Sequence, residues 1–174
     1  MSRKFTVSAF SENTPGVLHR IVDLFTRRKV NIESLTVSET ERRGISRFTI
    51  VVLEEKDIVQ KIVKQINRVI EVVDVFASEN NNLVYKEIAF YKVTPSSPEK
   101  RAEIEELANR YDANVEFANA EIMVLEKAGS EDDIRSLFRL LEPHGITEFI
   151  RSGRIAVAKT KRSPGQLFLN GDKK

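Results

Sequence analysis

Two short stretches carry residues suited to recognition chemistry: Asn13-Thr14-Pro15-Gly16-Val17-Leu18, and Asn31-Ile32 after it. An asparagine side chain both donates and accepts hydrogen bonds. Glycine has no Cβ, which lets a ligand approach the backbone. A helix that starts at such a turn presents unpaired N–H groups and a partial positive charge, and a carboxylate fits there. Asn13 and Asn31 together could meet the carboxylate and the ammonium of a free amino acid, with Val17, Leu18 and Ile32 lining an apolar slot. With one helix between them, the two asparagines are expected to approach the same end of a small sheet. The same residue types also make an ordinary turn, helix start and strand start. Spacing alone leaves both readings open.

Catalytic chemistry finds no comparable support. The chain has no cysteine, which excludes disulfides, thiol catalysis and thiolate metal sites. His19 falls on the helix side away from the apolar stripe, and His144 sits in a Pro-His-Gly helix stop. Neither has carboxylates or a second histidine at metal-ligand spacing. Glu103 to Glu106 reads as a solvated helix face. There is no Gly-x-Ser-x-Gly elbow, no Gly-x-Gly-x-x-Gly and no P-loop. No catalytic residue, no metal and no cofactor are therefore expected in this chain. Its 28 basic and 26 acidic residues leave a net charge of +2, which supports no general affinity for nucleic acid or membrane. No apolar run approaches the roughly 20 residues that span a bilayer. Met1-Ser2-Arg3-Lys4 leads straight into a strand pattern without a signal peptide, and a cytoplasmic location is expected.

Period-2 and period-3.6 apolar patterns then locate the elements. Phe5 to Phe10 reads as a strand. Thr14 and Pro15 read as N-cap and first helical residue of a helix to about Arg28, with Leu18, Ile21, Val22 and Phe25 as its stripe. Arg27, Arg28 and Lys29 suit its C-terminal dipole. Asn31 to Val37 and Ile45 to Leu53 are strands joined by a polar hairpin. Asp57 to Val69 is a helix with Ile58, Ile62, Val63, Ile66 and Ile70 on one face, and Val72 to Ala77 is a strand. After a polar break at residues 78–82 the order recurs. A strand runs over 83–93, a helix from Ser97 to Tyr111, a hairpin over 113–126, a helix from Ser130 to Leu141, and a final strand over 146–159 with a bulge at Ser152-Gly153. The fold class is α+β, two tandem ferredoxin-like βαββαβ domains over 1–79 and 83–160, each an antiparallel sheet with its helices on one face. The other face must be solvated or covered by a partner. A flexible tail is expected over 161–174.

RNA-recognition modules share this topology, but they need aromatic residues on the open sheet face. Phe5 and Phe48 alternate with core residues instead. The runs Arg27-Arg28-Lys29, Arg42-Arg43 and Lys159 to Arg162 are too short and scattered for a phosphate track.

Glu12-Asn13-Thr14-Pro15-Gly16-Val17-Leu18 followed by Asn31-Ile32-Glu33-Ser34-Leu35-Thr36-Val37 resembles the ACT domain of the regulatory (small) subunits of acetolactate synthase. Ser46-Arg47-Phe48-Thr49-Ile50 and Arg151-Ser152-Gly153 extend the resemblance, which spans roughly residues 3 to 160 and is strongest through Ala77. The resemblance implies a non-catalytic subunit that binds a catalytic large subunit, raises its activity and confers feedback inhibition by a branched-chain amino acid, most commonly valine. Thiamine diphosphate, Mg and FAD would then belong to the catalytic partner. It further implies a homodimer formed by side-by-side ACT domains, with the effector at their interface. Carried over by position, the effector contacts are Asn13, Gly16 and Asn31, with Val17 and Ile32 as adjacent backbone and pocket contacts. Another ACT-domain amino-acid sensor and an RNA-binding ferredoxin-like module are the alternatives.

Overall fold

The computed structural model describes residues 1–160; the tail expected over 161–174 lies outside them. Contacts divide the chain into two units, Met1–Tyr85 joined by the segment from Arg154, and Lys86–Gly153.

In the first unit, β1 (Arg3–Glu12), β2 (Ile32–Glu39), β3 (Ile45–Glu54) and β4 (Val72–Glu79) form a sheet in the order β2-β3-β1-β4. All three strand pairs are antiparallel. Helices α1 (Val17–Thr26) and α2 (Lys56–Ile66) cover one face. Alternation along the central strands sends Phe5, Val7, Ala9, Phe48, Ile50 and Val52 to that face, where Ile21 and Phe25 of α1 and Ile62 and Ile66 of α2 meet them. Each of these side chains except that of Ala9 contributes about 1.5–3 kcal/mol on full burial.

The helices are shorter than the apolar periodicity suggests. α2 stops at Ile66, which leaves Ile70 97% exposed instead of on the core face. α1 stops at Thr26, and its last turn contains no basic residue. Arg27 is its C-cap, Arg28 lies beyond it, and Lys29 turns out of the helix with φ 57°.

The middle of the opposite face of this sheet is covered by the chain itself. Thr6, Ser8 and Thr49 there are buried. Arg154 is 1% exposed, and its Nη1 donates to Thr6 Oγ1 at 3.1 Å and Asn80 Oδ1 at 2.7 Å. Its guanidinium lies 3.9 Å from the Tyr85 ring centroid. The Ala156 carbonyl accepts from Arg47, whose pKa burial lowers, with Glu41 opposing the shift. The expected single strand over 146–159 is therefore two strands, β8 (Ile146–Arg151) and β9 (Ile155–Ala158).

The second unit contains the sheet order β6-β7-β5-β8, with β5 (Leu83–Val93), β6 (Asn114–Ala118) and β7 (Met123–Gly129). Its helices are α3 (Pro98–Arg110) and α4 (Glu131–Leu141), and its core includes Tyr91, Val93, Ile104, Leu125, Ile134 and Leu137. The Ser130 hydroxyl accepts from the Asp133 N–H at 3.2 Å, while the Asp133 carboxylate accepts from the Ser130 N–H at 2.9 Å, a complete capping box for α4. The Ser130 hydroxyl and N–H hold the Asp133 pKa below its ordinary 3.8. That stabilisation is present above about pH 3.8 and is lost as pH falls through the depressed value. Ser130→Ala is expected to cost about 1 kcal/mol, and thermal melts of the variant should lose less between pH 7 and pH 3 than those of the wild type.

Candidate functional site

The turn between β1 and α1 is built by backbone hydrogen bonds. The Asn13 N–H donates to the Gly44 carbonyl at 2.8 Å, which ties the turn to the tip of the β2–β3 hairpin. The Thr14 N–H donates to the Glu12 carbonyl at 3.0 Å. Thr14 is not the helix cap. That position falls to Gly16, which adopts φ 87° and ψ −12°, a left-handed conformation that β-branched residues avoid.

No side chain caps α1, and its first turn contains no acidic residue. Each of the other three α-helices has at least one of these: α2 carries Asp57, α3 has the Ser97 cap with Glu99, and α4 has its capping box. The N-terminus of α1 thus keeps its partial positive charge without an internal anion.

A cation adds to it. A Cβ placed on Gly16 would lie 3.5 Å from Arg20 Nη1. Arg20 is one helical turn on, and long side chains on a helix lean back toward its N-terminus. Its Nη2 pairs with Glu71 Oε1 at 2.5 Å, and the Glu71 carbonyl accepts from the Glu12 N–H at 2.9 Å. Arg20, Glu71 and Gly44 are site neighbours that the sequence reading missed. Only Arg20 left a trace there, through its four-residue spacing from Gly16.

Of the expected contacts, Asn13, Gly16 and Asn31 are all exposed. Val17 is 1% exposed and belongs to the core, which leaves only its backbone for a ligand. Leu18, expected on the apolar stripe, is instead 44% exposed beside the turn. Ile32 is half-buried against the core.

The two asparagines do not meet within one chain. β1 and β2 both run antiparallel to β3 and therefore parallel to each other. Glu12 lies opposite Ile45, while Ile32 lies opposite Val52. At about 3.3 Å per residue, the seven residues from Ile45 to Val52 separate Glu12 from Ile32 by roughly 23 Å along the sheet, and Asn13 and Asn31 each lie one residue beyond that span. The expectation of a shared end within one chain fails on this register.

Among the described residues no three His, Asp or Glu side chains converge as a metal site, and no helix is long and apolar enough to cross a membrane. His19 is exposed, and His144 Nδ1 lies 3.7 Å from Glu103. Phe5 and Phe48 are core residues. The second unit does expose Phe90 and Phe117 on its open sheet face, but the shallow groove they line also carries Glu116 and Glu148 against the single Lys92. Those carboxylates repel phosphates.

Comparison with known proteins gives a consistent picture. A family model described as an AHAS small subunit-like ACT domain matches residues 7–83, and one described as the small subunit of acetolactate synthase matches residues 86–160. The probable acetolactate synthase small subunit of Archaeoglobus fulgidus is 38% identical over 156 residues, covering 90% of this chain and 97% of that protein. The acetolactate synthase small subunit of Bacillus subtilis is 40% identical over 148 residues, covering 84% and 86%. The crystal structure of the acetolactate synthase small subunit from Thermotoga maritima superposes with a TM-score of 0.83 at 30% identity, covering 91% of this chain and 99% of that one.

Proposed function

Because the chain belongs to the family of acetolactate synthase regulatory small subunits, we propose that it binds a branched-chain amino acid, valine, and transmits that binding to a catalytic large subunit as feedback inhibition. The first unit is the sensor and the dimerisation module. The thiamine diphosphate, Mg and FAD chemistry belongs to the large subunit, which this chain also activates.

The observation that carries the reading is the N-terminus of α1, opened by Gly16, without a cap or acid of its own and with the Arg20 guanidinium beside it. It suits the effector carboxylate. The Asn13 side chain and the exposed Leu18 would meet the rest of the molecule.

The register of the sheet supports a site shared by two copies. β2 is an edge strand. If two β2 edges pair antiparallel about a twofold axis, the start of one lies beside the end of the other. The end of β2 is Glu39, opposite Ser46 and next to the hairpin that holds Asn13. Asn31 of each copy would thereby reach the Asn13 and Gly16 of its mate.

This arrangement has a complementation test. Asn13→Ala and Asn31→Ala homodimers should each lose valine inhibition. A mixed dimer of the two variants carries one site with both substitutions and one site with neither. The purified mixed dimer should therefore bind valine at one of its two sites by calorimetry. Mixed dimers that stay inert would point to a site within one chain. The wider reading is tested by assaying a large subunit with and without this chain, each in the presence and absence of valine. Inhibition arises by linkage, through tighter effector binding to the less active state. One methylene changes affinity by about 1–3 kcal/mol, and a panel of valine, leucine, isoleucine and unrelated amino acids separates this function from that of another amino-acid sensor.

A further inference from the structure

The second unit holds a cleft that the effector site does not use. It lies between α4 and β8, has a volume of about 480 Å³, and is lined by Arg135, Phe138, Arg139, Phe149 and Arg151. Its floor is aromatic. The Phe138 and Phe149 rings meet edge-on at 4.9 Å, and Phe149 is backed by Tyr91 at 5.2 Å. Phe149 nevertheless remains 38% exposed.

The rim is cationic and partly pre-set. Glu131 holds Arg135 at 2.7 Å, and Arg151 is held by Glu87 at 3.2 Å and Glu131 at 3.5 Å. Arg139, one turn after Arg135 on the same face of α4, takes no part in the ion pairs that hold Arg135 and Arg151 among the described residues. Three guanidiniums against two carboxylates leave the rim with a positive excess. The cleft also borders an open strand edge, since β8 pairs with β5 alone among the described strands.

We propose that this cleft docks an extended acidic segment of the acetolactate synthase large subunit, which adds along the β8 edge and places a carboxylate on Arg139 and an apolar side chain on Phe138 and Phe149. The proposal rests on the reading above that the large subunit is this chain's partner. Strand addition draws affinity from the main chain and specificity from alternate side chains, about two residues apart, that enter pockets. Phe149 and Arg151 stand at that spacing on β8 and face the cleft together. A second copy of this chain is the poorer occupant, because a twofold contact here would set the same arginines against each other.

The test measures binding of full-length chain to the large subunit by biolayer interferometry over a range of salt. Arg139→Glu should weaken binding tenfold or more and Arg139→Gln by less, both with a shallower salt dependence. Calorimetric valine binding should be unchanged, and excess variant should restore full activation. Wild-type affinity in Arg139→Glu, within twofold, overturns the proposal. So does a changed oligomeric state of Arg139→Glu alone by analytical ultracentrifugation, which would make the cleft a self-interface. So too does salt-sensitive binding of an oligoribonucleotide that Arg139→Glu abolishes while large-subunit affinity stays. Failure of the wild type to bind or activate any large subunit would instead bring down the functional reading itself, and this inference with it.

Discussion

Gly16→Asp is expected to raise the Kd for valine by about a hundredfold, near 2.7 kcal/mol, while the chain stays folded. Two effects combine. Any side chain at φ 87° costs roughly 1–2 kcal/mol of backbone strain, which loosens the turn. The carboxylate would also sit at the positive end of α1 beside Arg20, where the effector's own carboxylate is proposed to bind. Gly16→Ala separates these effects. Its methyl would meet Arg20 Nη1 at an ordinary 3.5 Å and adds no charge, so it carries the strain alone and should cost about tenfold or less. Calorimetry on both variants, with circular dichroism as the fold control, reads the difference. Equal losses in the two would assign the effect to strain and remove the carboxylate from this helix end.

Arg154→Met should produce the largest stability loss, about 3–5 kcal/mol. The side chain is 1% exposed and bridges Thr6 and Asn80 over the Tyr85 ring. Its removal strands the buried Thr6 hydroxyl at about 1–3 kcal/mol, leaves the half-buried Asn80 amide short of a partner, and forfeits the ring contact. At roughly 2–4 °C per kcal/mol the melting temperature falls by about 10 °C. Arg154→Lys should rescue little, because one ammonium lacks the fork that spans both partners. Arg43→Met, at an exposed position, should stay within about 0.5 kcal/mol. A melt unchanged in Arg154→Met would mean that the segment from Arg154 does not hold the sheet it covers.

Both predictions concern residues whose weight the sequence discloses unequally. Gly16 stands out as a glycine between a proline and an apolar stripe, and its family motif makes it a candidate at once. Arg154 looks like one more polar residue in a final strand over 146–159. Its partners, Thr6 and Asn80, lie 148 and 74 residues away, and no local pattern encodes so distant a match. The same limit explains Ile70 and Val17. Periodicity assigns a face to every residue in a helical pattern, but where the helix stops, and which flank of the stripe touches the sheet, depend on what is packed against it.

Local pattern in the chain was enough for the order of the helices and of every strand but the last, the two repeats, most of the core and the family. These follow from local periodicity, turn chemistry and one contiguous motif, each read within a few residues. Tertiary structure alone decided that the segment from Arg154 returns to the first sheet, that Arg20 and Glu71 flank the Gly16 turn, and that Asn13 and Asn31 stand at opposite ends of one sheet. The physical reason is that strand register and direction arise from pairing between distant segments: β1 and β2 are joined by a single helix, yet because both pair with β3 they run parallel and start at the same end. That places the end of one and the start of the other a sheet's length apart, and it is why the proposed sensor needs two copies of the chain.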